Sequence, residues 1–169
     1  LRLPIMLGEG DHTGRLDFYL RRFVDTGPLI LVGGGNNHAQ IVSMEDIAQA
    51  IILWCTKVDI SRFLVWEALP EEGESVRKII ETMVTSVGAA VNFVDVSIEE
   101  LSQKLPAFLH REPFWRETTL PLTAANIFSA VNMKPNQFGK HITMPANIDN
   151  ATDDLRGLEL KFLAGRDDD

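Results

Sequence analysis

Short apolar runs alternate with amphipathic helical stretches along most of this chain, and that alternation leaves few folds open. Residues 2–7, 29–32, 39–43, 62–68 and 90–96 read as strands, the fourth with apolar residues on both faces, as a central strand needs. Between them, 15–25 carries Leu16, Tyr19, Leu20 and Phe23 at helical spacing. A second helix starts at Ser43 or Glu45-Asp46 and runs through about Trp54, with Ile47, Ala50, Ile51 and Trp54 as its inward stripe. A third spans 75–87 with Val76, Ile79, Ile80 and Met83. Strands alternating with helices define an α/β fold.

Local punctuation supports these boundaries. Pro4 cannot donate to a sheet ladder, so it marks an edge, a bulge or a strand end. Thr13 can cap the first helix, and Gly27-Pro28 stops it. Residues 33–37 form a turn tolerant of left-handed backbone, Gly88 ends the third helix, and Ser97…Glu100 has the spacing of a capping box. Beyond Pro106 the pattern weakens. Residues 123–131 suit a short helix, 135–152 a loop, 155–163 a last helix, and the Asp167-Asp168-Asp169 tail a frayed, solvated end.

The strands are few and short, and the first is apolar enough to want sheet neighbours on both sides. Its natural neighbours would come from sequence outside this chain. An apolar face around residues 1–7 is therefore expected to lie exposed, or to be covered by self-association.

Composition narrows the function. The net charge is −8, which repels phosphate backbones and anionic lipid and argues against nucleic-acid or membrane-surface binding. The single cysteine, Cys55, can form neither an internal disulfide nor a zinc site; a packed thiol in a reducing, cytoplasmic setting is the expectation. No apolar run is long enough to span a bilayer, and the first residues lack a signal-peptide cleavage pattern. His12, His38 and His141 have no metal-ligand spacing, and no G-x-S-x-G elbow occurs. Glu67, Glu71, Glu72 and Glu74 read as a solvated run, while Phe108, Phe114 and Trp115 either fill the core or line a pocket.

One glycine motif invites a nucleotide reading. Gly8-Glu9-Gly10-Asp11-His12-Thr13-Gly14 lies between a strand and a helix, where a glycine-rich loop could cradle a pyrophosphate. Glu9 and Asp11, however, put two carboxylates where the diphosphate would sit. The acidic residue that would hold the ribose, about 20 residues on, is missing.

Several segments, taken in order, resemble the C-terminal portion of the extended short-chain dehydrogenase/reductase family, the NAD(P)-dependent epimerases and dehydratases. Arg2-Leu3-Pro4, Gly8-Glu9-Gly10-Asp11 and Arg15 resemble a late sheet strand and the loop that follows it, with one extra residue between Arg and Pro. Val42-Ser43-Met44-Glu45-Asp46-Ile47-Ala48 is similar to a V-x-V-x-D-x-A segment, with Ser43 where many members have His and Met44 where many have Val. Phe128…Asn132-Met133-Lys134-Pro135 resembles a G-F-x-P segment without its glycine. The resemblance covers about residues 1–135 and implies that these form the small substrate-binding lobe of a Rossmann-type enzyme, lacking the N-terminal dinucleotide-binding half, with 136–169 as a C-terminal extension.

It also implies what this chain does not contain. The family's catalysis uses an N-terminal G-x-x-G-x-x-G loop and a Tyr-x-x-x-Lys pair. The one tyrosine here is Tyr19, followed four residues on by Phe23, so no catalytic residue is assigned. NAD(P) belongs to the parent enzyme and is not expected to bind this chain tightly alone. By resemblance, Pro4 and Ile5 approach the nicotinamide end of that cofactor, and a missing Rossmann half or a second copy is the implied partner. Asp11, His12, Arg15 and Gln40 are the candidate substrate residues for a small molecule such as a nucleotide sugar. Arg15 could grip a phosphate or carboxylate bidentately, or pair with Asp11 or Asp17. Two other readings stand beside this one: a non-enzymatic module derived from the lobe, and a self-sufficient nucleotide binder using the 8–14 loop.

Overall fold

The computed structural model describes residues 1–8, 11–57, 65–70, 73–115, 125–135, 142 and 154–166. The first run becomes strand β1 (Ile5–Leu7), which pairs in parallel with β4 (Ile41–Ser43) in the register Ile5↔Ile41 to Leu7↔Ser43. A second parallel pair joins β2 (Leu29–Val32) to β7 (Phe93–Val96), and a third joins β5 (Trp66–Glu67) to β8 (Ala125–Asn126). β3 (His38–Ala39) and β6 (Glu74–Ser75) make a short antiparallel pair. The α/β class holds.

The helices are α1 (Arg15–Val24), α2 (Met44–Lys57), α3 (Val76–Val87), α4 (Ile98–Lys104), α5 (Pro106–Arg111), α6 (Ile127–Ala130) and α7 (Asp154–Ala164). α3 is built as its sequence dictates. The Ser75 hydroxyl accepts from the Lys78 N–H, Gly88 closes the helix at φ 66°, and Val76, Ile79, Ile80 and Met83 are buried. Ser97 caps α4 in the same way, accepting from the Glu100 N–H at 3.1 Å. α1 starts differently from expectation. Its N-cap is Gly14 in the left-handed region (φ 71°), because Thr13 is turned toward Asp11 instead.

Three apolar clusters hold these pieces. The first packs Leu7, Tyr19, Leu20, Phe23 and Leu29 against the buried stripe of α3 and Phe114. The second gathers Ile30, Val32 and Val96 with Leu101, Leu105, Phe108 and Leu109, closed by Leu155 and Leu163 of α7. The third joins Val42, Ile47 and Ala50 to Trp66, Ile127 and Phe128. Phe108 and Phe114 are thus core residues. α7, inside the stretch set apart as an extension, shares its core with α4 and α5.

Several expectations are corrected. β1 finds one neighbour within the chain, β4; ahead of it Arg2 makes an isolated parallel bridge to Glu67, with Arg2 N–H donating to Trp66 C=O at 2.8 Å and Ala68 N–H to Arg2 C=O at 3.0 Å. Leu7 is fully buried, Pro4, Ile5 and Met6 are half-buried, and Leu1 (51%) and Leu3 (43%) are exposed, as is Val65 (37%) on the adjoining segment, so part of the expected apolar face is present. The strand read at 62–68 is regular only at Trp66–Glu67 among the described residues. The 39–43 strand breaks at Gln40, and the described part of the 123–131 helix, from Ala125 on, is a short strand followed by a single helical turn. Glu67 is not solvated; it is 2% exposed and accepts from Arg2 Nη1 at 3.2 Å. Most of the 135–152 loop, His141 and the acidic tail lie outside the described residues.

Cys55 also departs from expectation. The run Ile51-Ile52-Leu53-Trp54-Cys55 is apolar throughout, but a helix presents only one stripe to the core, and Ile52 and Cys55 point outward. Cys55 is therefore expected to react with a maleimide reagent in the native protein as readily as in denaturant. Protection until unfolding, read by mass spectrometry, would contradict this placement.

Candidate functional site

Paired parallel strands end together, and the loops beyond their carboxyl ends are where α/β proteins collect ligand-binding groups. β1 and β4 end in register at Leu7 and Ser43. After Leu7 comes Gly8, and the described chain turns at Asp11 to Gly14 into α1; after Ser43 it enters α2, whose Asp46 N–H is held by the Ser43 hydroxyl at 3.0 Å. The two lie against each other, since a Cβ at Gly8 would meet Met44 Cβ at 3.4 Å and Glu45 Oε2 at 3.5 Å.

This turn brings three of the sequence candidates together. Asp11 is half-buried, and its Oδ1 accepts from the Thr13 N–H at 2.9 Å and the Thr13 hydroxyl at 2.5 Å. Arg15 Nη1 donates to Thr13 Oγ1 at 3.3 Å, so Arg15 reaches Asp11 through Thr13 rather than directly. His12 is exposed at the tip. Asp11 Oδ2 is buried with no hydrogen-bond partner among the described residues. Sequence reasoning treated Thr13 only as a helix cap; the structure makes it the hinge of the cluster.

Pro4, Ile5 and Gln40 form a second group at the opposite end of β1. Ile5 is paired with Ile41, and Gln40 precedes Ile41 by one residue. Pro4 and Ile5 are half-buried, whereas Gln40 is 6% exposed and donates its Nε2 to the Pro70 carbonyl at 3.1 Å. The structure therefore does not bring Gln40 to the Asp11 turn.

The Asp11 carboxylate accepts from the Thr13 amide and hydroxyl, so a diphosphate placed beside them would meet like charge and an amide already engaged. Among the described residues no group of three His, Cys, Asp or Glu side chains could hold a metal ion. No helix of the structure is long and apolar enough to cross a membrane.

Two buried polar clusters escaped the sequence reading, because each joins residues far apart in the chain. Tyr19 is 1% exposed and donates its hydroxyl to Glu112 Oε1, while Glu112 Oε2 accepts from the Phe114 and Trp115 N–H groups at 3.1 and 2.5 Å. Burial pushes the Tyr19 phenol well above its usual range, and the neighbouring Glu112 charge adds to the push. Tyr19 is thus a structural tyrosine, closed to solvent. In the second cluster, Arg22 of α1 and Arg156 of α7 share Glu159, and Arg156 also grips Asp25 at 2.6 and 2.8 Å. Burial acts to raise the Asp25 carboxyl, but the hydrogen bonds from Arg156 and Gly27 outweigh it and hold the group below its usual value.

Burial raises the Glu112 carboxyl above the ordinary glutamate value of 4.5, against the opposing hydrogen bonds from Tyr19 and the two backbone N–H groups. A raised pKa means the folded chain binds this proton more tightly than the unfolded chain. The contribution to stability is then greatest below 4.5 and is lost as pH climbs from there through the folded value. Glu112→Gln is expected to remove that loss, so urea midpoints of wild type and variant should converge in acid and separate in the variant's favour toward neutrality. Parallel curves across that window would show that Glu112 carries no such shift.

Comparison with known proteins adds to this geometry. No family model matches the chain, and no curated protein matches it. Solved structures do. RMD from Pseudomonas aeruginosa, complexed with NADPH, superposes with a TM-score of 0.51 at 12% identity, over 98% of this chain and 48% of that one. UDP-glucose 4-epimerase from Thermus thermophilus, in complex with NAD, gives 0.53 at 16% identity, over 92% and 45%. UDP-glucose 4-epimerase from Thermotoga maritima, with UDP-glucose, gives 0.51 at 13%, over 96% and 45%. This chain spans about half the length of these proteins. At such identities the likeness is one of fold: nearly all of this α/β chain is built like part of an NAD- or NADPH-binding epimerase or reductase.

Proposed function

We propose that this chain is the substrate-side portion of an NAD(P)-dependent epimerase/dehydratase-like oxidoreductase, and that it orients a nucleotide sugar or similar hydroxyl compound rather than carrying out hydride transfer itself. The observation that carries this reading is the coverage: 92–98% of the chain aligns with only 45–48% of enzymes solved with NADPH, NAD or UDP-glucose. When bound to such an enzyme, the cofactor supplies the hydride chemistry. This chain's residues supply position. Asp11 Oδ2, buried and without a donor among the described residues, offers an acceptor to a ligand hydroxyl. Arg15, tethered through Thr13, offers a cation to a phosphate, with His12 exposed beside it. Pro4 and Ile5, half-buried at the start of β1, are the proposed contacts for the cofactor's nicotinamide end, and Gln40 orders that end of the strand through Pro70. The chain would act in the cytoplasm with a dinucleotide-binding lobe as partner, and 1–135 would form the lobe proper.

One observation favours the second reading, a binding module that works without a cofactor lobe: β1 pairs with β4, and Arg2 ahead of it bridges to Glu67, both within this chain. Ligand-dependent thermal unfolding and capture from the native host separate the two. UDP-glucose is expected to raise the melting temperature, Asp11→Ala to remove that rise, and NADH or NADPH alone to leave it unchanged. Tagged protein is expected to bring down a dinucleotide-binding lobe. A shift with UDP-glucose but no such lobe would favour the module. A shift with NADH or NADPH alone would favour direct nucleotide binding through the 8–14 turn. No shift with any of them would overturn the substrate assignment.

A further inference from the structure

We draw no further inference here: the strongest candidate, the open groove beside β7 and the end of α7 lined by Pro28, Asn92, Val94, Leu163 and Arg166, carries nothing because nothing in the structure shows what covers it and its cation, Arg166, already pairs with Glu100.

Discussion

Glu159→Ala is expected to destabilise the protein by about 3–5 kcal/mol, the range found when one partner of a buried ion pair is removed. Glu159 is fully buried and accepts from Arg22 Nε at 3.0 Å and from Arg156 Nη1 at 2.9 Å, with a further bond from Arg22 Nη2. Arg22 is itself 1% exposed. It would keep its bond to the Phe18 carbonyl and its place over the Phe18 ring, 3.5 Å from the centroid. It would lose both of its bonds to the Glu159 carboxylate, while the charges of Asp25 and Glu112 still act on it. Arg156 suffers less, because Asp25 still holds it. A matched double variant, Arg22→Met with Glu159→Leu, should recover most of the loss, since apolar side chains of similar volume often replace a buried pair at no net cost. Urea unfolding of the three proteins tests this. A Glu159→Ala loss within about 1 kcal/mol would place the pair among weakly contributing surface bridges.

Phe114→Ala should cost a similar amount, about 3–5 kcal/mol, by a different route. Phe114 is fully buried and stacks on Tyr19, with ring centroids 5.4 Å apart and planes at 15°. Its backbone is fixed at both ends: the N–H donates to Glu112, and the carbonyl accepts from Asn37 Nδ2 at 2.6 Å. A corner held this firmly cannot move in to fill the space left by the ring, so the cavity term adds to the lost transfer energy. Domains of this kind have about 5–15 kcal/mol of stability to lose. Either variant therefore removes a large share of it, and a fall in the urea midpoint with an unchanged slope is the expected signature. A midpoint close to wild type would show that the corner collapses around the smaller side chain.

The parts of the fold that were legible in the sequence are those specified locally. α3 has its cap at Ser75, its stripe at Val76, Ile79, Ile80 and Met83, and its stop at Gly88, all within a few residues of one another. Ser97 and Glu100 announce α4, and the four apolar residues of β2 announce a buried strand. What stayed hidden depends on partners distant in sequence. Glu67 looks solvated beside Pro70 until Arg2, 65 residues earlier, is laid against it. The Tyr19–Glu112 and Arg22–Glu159 bonds span 93 and 137 residues, and no periodicity reports them. The candidate site divides in the same way. Asp11, His12 and Arg15 are close in sequence and read together as candidates, whereas Thr13, which links Asp11 to Arg15, reads only as a helix cap. The inward turn of Gln40 toward Pro70 required a partner 30 residues away.

The sharing of Glu159 between α1 and α7 bears on how the chain acquires its structure. The positive charge on Arg22 has to enter the interior early in sequence order, yet the carboxylate that neutralises it is supplied 137 residues later. Closing so long a loop is entropically costly, and topologies dominated by such remote encounters fold slowly. During synthesis the apolar face of α1 can meet α3 first, whereas the Arg22–Glu159 pair can close only once residue 159 has been made.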